Sequence, residues 1–307
     1  MTKSLAPEGQ GRYAFLLFDS TFKVVICNPE NEKLLIQIIE LLIPGKHISS
    51  ITFSDKEKHG FVISEKVVNF DLLCKDADTG EEFLVEVQNA QQSSFQDRVL
   101  SYATYPIREQ MAKRIARIRE GEKLDKMDYS LRPVYVISFI NFSLKHESED
   151  ALEQDYICRY ELRNRYNAEL MTPSLNFVFV EMGRMKLGPD DEDKCNTLLE
   201  KFIYSLKYMH LLTEQPKSFT EPLLNGLYHA TELASMPIET REIYDQSMRT
   251  ELDRIAELDF ARKDGEAKGE AKGRAEVAKA MLAQSEPLEK IVAYTGLSPE
   301  EIQKLKK

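Results

Sequence analysis

Residues Asn69–Gln88, NFDLLCKDADTGEEFLVEVQ, contain two apolar runs on either side of a polar segment. Asp78-Thr79-Gly80 is a turn signal, and the flanking runs are rich in residues that favour strands. The pattern predicts a β-hairpin in which Val67–Cys74 pairs with Glu82–Gln88.

Acidic residues stand at matching places on the two predicted strands. A two-residue turn at Asp78-Thr79 would place Asp71 directly opposite Glu86. Residues paired in this way have Cβ atoms about 4.5–5.5 Å apart, so two carboxylates there repel each other unless a cation lies between them. The register is therefore unfavourable as plain structure, and it favours a site in which Mg²⁺ or Mn²⁺ is bound by Asp71 and Glu86.

Gln88 lies two residues beyond Glu86 and, since side chains alternate along a strand, on the same face. We expect its amide to orient a water molecule or a phosphate oxygen. The opposite face, with Phe83, Val85 and Val87, is expected to belong to the core. An alternative remains open, because acids near hairpins are common and the face that carries Glu86 could simply be solvated.

The rest of the chain predicts a mixed α/β protein. Asn28 and Pro29 begin a helix that ends at Pro44-Gly45, and Ser94 with Asp97 forms a variant capping box for a second helix. Proline lacks a backbone donor, so Pro106 is expected to kink or interrupt that helix, which then resumes to about Glu120. Further strands are predicted at 47–54, 61–74, RPVYVISFINF, YICRYEL and LNFVFVEM, with helices dominating after about Asp190.

Composition excludes several classes of protein. The 307 residues carry a net charge of −10, which argues against a uniformly basic nucleic-acid binder, and 42% are hydrophobic, which is ample for a core. The first twenty residues lack the apolar run of a signal peptide, and the apolar stretch from Leu34 to Ile43 is too short to cross a membrane. With four cysteines, no CxxC motif and no ligand spacing among the histidines, we expect neither disulfides nor structural zinc, and a cytoplasmic location.

Four segments are expected along the chain. Residues 1–190 form an α/β core and 191–262 a helical extension. Residues 263–278, with the repeat GEAKGEAKGRAE, form a solvated helix or spacer, because each glycine weakens a helix by up to about 1 kcal/mol. Residues 279–307 form two short helices, the second opened by a capping box at Ser298. This pair is expected to dock onto its own chain or to make a homo-oligomer.

Several of these pieces resemble, in order and spacing, the PD-(D/E)XK nuclease family often labelled "transposase", which includes recombination-promoting nucleases. They are Asp19-Ser-Thr-Phe-Lys23, Asp71, Glu86-Val-Gln88, SSFQDRVLSYATY, Gly121, Tyr129, RPVYVISFINF, the Gly-Glu-Lys repeat and the closing TGLSPEEI. The resemblance covers nearly the whole chain and is firmest over residues 15–145.

The resemblance implies a restriction-endonuclease-like αβββαβ core with a mixed sheet, followed by a helical C-terminal region. It also implies a DNA endonuclease that uses Mg²⁺ or Mn²⁺, with Asp71 and Glu86 as metal ligands and Gln88 in the position that is lysine in many relatives. Arg98 is a candidate for holding a scissile-strand phosphate, or else a surface or carboxylate-paired arginine. Lys23 is a second phosphate-binding candidate, although its stem could merely cover the first helix, the interpretation that the residues alone favour.

Other functions remain open. Because a glutamine replaces the usual lysine, the protein could be a catalytically silent nuclease-fold protein used for binding or assembly. A DDE-type transposase would need a third carboxylate, and the sequence offers no clear candidate. The basic run KRIARIREGEKLDK could follow a DNA backbone, although charged helices are more often simply solvated.

Overall fold

A computed structural model describes residues 11–53, 71–91, 94–123, 129–146 and 156–305. The chain folds into two compact units, Met1–Ser247 and Met248–Lys307. Within the described residues no helix combines the length and the apolar character needed to cross a membrane.

The first unit is built on a mixed sheet with the order β1-β2-β3-β4-β6-β5. Its strands are β1 (Ile51–Phe53), β2 (Leu72–Asp76), β3 (Glu82–Gln88), β4 (Val134–Ile140), β5 (Ile157–Glu161) and β6 (Leu175–Glu181). The pairs β1–β2, β2–β3 and β5–β6 are antiparallel, whereas β3–β4 and β4–β6 are parallel. The predicted hairpin thus lies near the centre of a mixed sheet. Residues 61–70, for which the sequence predicts part of a strand, lie outside the described part of the chain.

Eight α-helices are found among the described residues. They are α1 (Asp19–Val25), α2 (Glu32–Leu42), α3 (Phe95–Arg119), α4 (Leu198–Tyr208), α5 (Pro222–Thr231), α6 (Ile238–Ala283), α7 (Leu288–Thr295) and α8 (Pro299–Lys304). The order α1, β1–β3, α3, β4 is the αβββαβ core that the sequence predicts, with α2 inserted after α1.

The hairpin register is confirmed, although its turn differs from the prediction. Leu72 pairs with Val85, so Asp71, one residue earlier, stands opposite Glu86. The backbone N–H of Asp76 donates to the carbonyl oxygen of Glu81 at 2.9 Å, so the turn between these two residues contains the four residues 77–80 rather than two. Asp76 holds the turn, since its Oδ1 accepts hydrogen bonds from the amides of Asp78 and Thr79 at 2.9 and 3.4 Å.

Both faces of β3 are buried, which rules out the solvated-face alternative. Leu84 is fully buried and Glu86 is 4% exposed. The reason is that the parallel pairing with β4 places β3 inside the sheet, where α3 covers the face that carries Leu84. Phe95, Val99 and Ala103 of α3 belong to that core cluster.

The helix α3 continues through Pro106 from Phe95 to Arg119, so the predicted interruption is wrong, whereas the alternative of a kink stays a prediction. Phe95, Val99, Ala103 and Pro106 are all buried and recur every three or four residues, so packing of this stripe offsets the hydrogen bond that proline cannot donate. The predicted capping box is also absent, because the Ser94 side chain makes no cap hydrogen bond.

The second unit contains a small core made of Ala278, Ile291 and Ile302. Gly296 ends α7 in the left-handed conformation at φ +68°, and Ser298 and Glu301 form the predicted capping box of α8. The glycine repeat continues α6 rather than interrupting it. Ion pairs one turn apart support it there, such as Lys268 to Asp264 at 2.7 Å.

Candidate active site

The carboxylate of Asp71 lies at the point where the chain enters β2. Its Oδ2 accepts a hydrogen bond from the backbone N–H of Val87 at 2.8 Å, and its Oδ1 lies 2.9 Å from Nζ of Lys23. Burial, followed by a hydrogen bond that the protonated carboxyl of Asp71 donates to the carboxylate of Asp19, raises the pKa of Asp71 to about 7, against the lowering effect of Lys23. The group therefore changes its protonation state near neutral pH.

Glu86 lies on the α3 side of the sheet. It is 4% exposed, and its Oε1 accepts a hydrogen bond of 3.2 Å from the hydroxyl of Ser138 on β4. Burial raises the pKa of Glu86 to about 7, while Arg98 and Ser138 lower it and Asp19 raises it further. Two neighbouring acids are thus held where ionisation is costly without a cation.

Lys23 reaches this site, so the interpretation in which its stem only covers α1 is wrong. Its ammonium lies 2.8 Å from Oδ2 of Asp19 and 2.9 Å from Oδ1 of Asp71. Burial lowers the pKa of Lys23, but the two carboxylates more than compensate and raise it overall. A positive charge therefore already lies between two carboxylates.

Gln88 and Arg98 act as a pair. A guanidinium N–H of Arg98 donates to Oε1 of Gln88, and the Gln88 amide N–H donates to the carbonyl oxygen of Ala90 at 2.8 Å. The Arg98 guanidinium also lies 5.7 Å and 5.8 Å from the ring centroids of Phe95 and Tyr102. Both ends of the amide are engaged with protein, so Gln88 fixes an arginine. That it orients a water or a phosphate stays a prediction.

Asp19 is the residue that sequence reasoning missed, and Ser138 is a second. Asp19 opens α1, more than fifty residues before Asp71, and approaches the site only because α1 packs against β3. A signal was present, since Asp19 and Lys23 form an i,i+4 pair within the family-like motif Asp19-Ser-Thr-Phe-Lys23.

The described side chains fit Mg²⁺ or Mn²⁺. Carboxylate oxygens are the ligands that these hard cations prefer. Asp71 and Glu86 offer them at opposed positions of the hairpin, and Asp19 of α1 lies within hydrogen-bonding reach of Asp71. The ammonium of Lys23 shows that this position accepts a cation, because it contacts two of the three acids. A divalent ion there would also stabilise the ionised forms of Asp71 and Glu86.

The basic run after Pro106 is less informative. Lys113 lies 3.1 Å from Glu109, and the guanidinium of Arg117 pairs with Glu122. These exposed pairs are what a solvated helix face presents, while Lys126 falls outside the described residues.

Comparison with known proteins gives one positive result. A family model described as "PD-(D/E)XK nuclease family transposase" matches residues 16–261, which is most of the chain and contains every residue of the candidate site. No curated protein and no solved structure matches this chain.

Proposed function

The chain belongs to the PD-(D/E)XK nuclease family described as transposases, and from that membership we propose that it is a metal-dependent DNA endonuclease whose cuts promote recombination or transposition. The proposal rests on one observation above all. Two buried acids, Asp71 and Glu86, stand opposite each other at the hairpin with pKa values near 7, next to a lysine and an arginine.

Asp71 and Glu86 would hold Mg²⁺ or Mn²⁺, with Asp19 as a further oxygen donor. When bound, such a cation polarises a phosphodiester and lowers the pKa of a water molecule. The backbone N–H of Val87 and the hydroxyl of Ser138 fix one oxygen of Asp71 and Glu86 respectively, which restricts the orientation of both carboxylates.

Arg98 would bind the phosphate of the scissile strand. Its guanidinium is positioned by Oε1 of Gln88 and by the rings of Phe95 and Tyr102. A planar guanidinium binds two phosphate oxygens at once, and a fixed one loses less conformational entropy on binding. Gln88 thus acts through Arg98 as a positioning residue.

Lys23 would have two successive roles. Without metal it neutralises Asp71, and with metal its ammonium is displaced from that carboxylate and becomes free to contact phosphate. In this second role Lys23 supplies the positive charge that related enzymes obtain from a lysine in the place of Gln88. A glutamine at this position is therefore compatible with activity.

The test is nicking of supercoiled plasmid by the purified full chain with Mg²⁺ or Mn²⁺. We expect Glu86→Gln and Asp71→Asn to abolish nicking while folding is kept. Glu82→Gln is the matched control, because Glu82 is a buried acid with a raised pKa on the same strand and face, four residues from Glu86. Glu82→Gln should cut like the wild type, and equal loss in Glu82→Gln and Glu86→Gln would contradict the assignment.

A catalytically silent DNA-binding or assembly protein is the second candidate. The observation that favours it is that Lys23 pairs with Asp71 and that Arg98 engages Gln88, so the site is internally paired without a ligand. In that case the wild type would nick no more than Asp71→Asn with either metal, yet both would bind DNA with equal affinity.

A further inference from the structure

A second group of side chains lies near the carboxyl ends of β4 and β6, the end of the sheet at which β3 also ends, and takes no part in the proposed endonuclease. Cys158 belongs to β5, Glu181 ends β6, and His146 lies six residues after β4. The nitrogen Nε2 of His146 lies 2.8 Å from Oε1 of Glu181 and 3.8 Å from Sγ of Cys158. All three potential ligand atoms lie within 4.8 Å of one another.

We propose that His146, Cys158 and Glu181 form a Zn²⁺ site, with water as the fourth ligand. Imidazole nitrogen, thiolate sulfur and carboxylate oxygen are the three ligand types that protein zinc sites use. A thiolate together with a carboxylate carries two negative charges, which balance the charge of the ion. Mg²⁺ prefers oxygen ligands, so the two sites would take different metals.

The spacing of the ligand atoms fits a tetrahedral ion. Bond lengths of about 2.0 Å to nitrogen and about 2.3 Å to sulfur place those two atoms about 3.5 Å apart in a tetrahedron. The observed separation of His146 Nε2 and Cys158 Sγ is 3.8 Å. The hydrogen bond between His146 and Glu181, at 2.8 Å, would open to about 3.3 Å by the same arithmetic.

Neighbouring groups hold the ligands in place. Oε2 of Glu181 accepts a hydrogen bond from the backbone N–H of Leu144 at 2.9 Å, which leaves Oε1 directed at His146. Supporting hydrogen bonds of this kind are what orient metal ligands. Glu181 is fully buried, whereas the His146 side chain is 13% exposed, so an ion can enter from the His146 side.

The thiol of Cys158 is protonated in the metal-free protein. Burial raises the pKa of this thiol to about 12, and so do the hydrogen bond that its S–H donates to the carboxylate of Glu181 and the repulsion between that carboxylate and a thiolate. Zn²⁺ displaces such a proton, so binding should release one proton at neutral pH. The guanidinium of Arg184, whose Nη1 lies 3.7 Å from Sγ, opposes the ion but also stabilises the thiolate.

This site is distinct from the acids of the hairpin. Gln88 pairs with Ile140 on β4, which in turn pairs with Glu181 on β6, so two strand spacings of about 5 Å each separate Gln88 from Glu181. His146 and Cys158 also lie in two different parts of the chain, with no motif between them. Zinc could therefore not be expected from the sequence.

The test uses Co²⁺ as a spectroscopic probe for Zn²⁺. The full chain carries Glu86→Gln, and excess Mg²⁺ is present, so that binding at the hairpin acids does not contribute. We expect a sulfur-to-cobalt charge-transfer band that saturates at one equivalent and disappears when Zn²⁺ is added. Cys158→Ser should abolish the band, and Cys195→Ser, at a buried cysteine elsewhere, should keep it.

Zinc affinity gives the second readout. Competition with a chromophoric chelator should show that His146→Gln weakens binding by more than about tenfold, since loss of supporting groups alone weakens metal sites 10–100-fold. If Cys158→Ser unfolds without a cooperative thermal transition, His146→Gln serves as the test of the site in its place. No charge-transfer band in the parent chain, an equal band in Cys158→Ser, or unchanged affinity in His146→Gln would each leave an ordinary buried His146–Glu181 hydrogen bond as the correct interpretation.

Discussion

Replacing Lys23 by methionine should tighten metal binding and slow cleavage at the same time. The ammonium of Lys23 contacts Asp71 at 2.9 Å, and a divalent ion that binds Asp71 must displace it. Methionine keeps the length of the side chain and its packing along α1 but removes the charge. The two effects have opposite signs, which a merely structural role for Lys23 would not produce.

The size of the effect follows from the burial of the pair. The Asp71 side chain is 8% exposed and that of Lys23 is 32% exposed, so this ion pair is intermediate between an exposed and a buried pair. An exposed ion pair contributes about 0–1 kcal/mol, and breaking a buried ion pair costs about 3–5 kcal/mol. A value of about 1–2 kcal/mol is reasonable for this geometry. Because 1.4 kcal/mol corresponds to a factor of ten, metal affinity should rise about 5- to 30-fold in Lys23→Met.

Isothermal titration with Mg²⁺ and Mn²⁺ in the absence of DNA measures the affinity, and plasmid nicking at saturating metal measures the rate. The titration is made at a pH well above the pKa of Asp71, because removal of Lys23 raises that pKa and a proton would otherwise compete with the metal. Lys290→Met is the matched control, since Lys290 pairs at 2.8 Å with Glu286 in the other unit and should leave both quantities unchanged. Metal affinity that stays the same or falls in Lys23→Met would refute the displacement of Lys23. An unchanged rate would refute its contact with phosphate.

Three further outcomes are expected. The pKa values of Asp71 and Glu86, both about 7, lie above those of carboxyls in the unfolded chain. The metal-free protein should therefore lose stability as the pH rises from about 4 to 7. Thermal melts of the double variant Asp71→Asn, Glu86→Gln should not show that loss. Arg98→Lys should lower kcat/KM for nicking roughly 10- to 100-fold, since charged hydrogen bonds contribute about 1.5–3 kcal/mol, whereas Arg119→Lys at the exposed end of α3 should not. Deletion of residues 279–307 should leave the melting temperature of the 1–247 unit unchanged, and a lost cooperative transition would show that the tail belongs to the core.

The hairpin could be predicted because its information is local. The residues that pair lie within twenty positions of one another, so the turn signal and the alternation of side chains suffice to place Asp71 opposite Glu86. The turn itself contains four residues rather than two, and the register survives because a symmetric lengthening of the turn leaves every pair unchanged.

Burial of the Glu86 face could not be predicted from the same alternation. Whether that face meets water or a helix depends on α3 and on the parallel pairing of β3 with β4, both of which follow later in the chain. Pro106 illustrates the same limit, because a local rule for proline gave way to the packing of the stripe around it. Local signals thus placed the elements, and non-local contacts decided their environment.

The role of Gln88 also depends on a non-local contact. Taken alone, an amide in place of a lysine removes a positive charge from the site and favours a silent protein. The structure places Arg98 against Gln88 and Lys23 against Asp71, so two positive charges reach the edge of the sheet from α3 and α1. Electrostatic help for a phosphate depends on where charges lie and not on which strand carries them. The glutamine is therefore weak evidence against activity, and the pairing of Lys23 with Asp71 is the feature on which the choice between enzyme and scaffold depends.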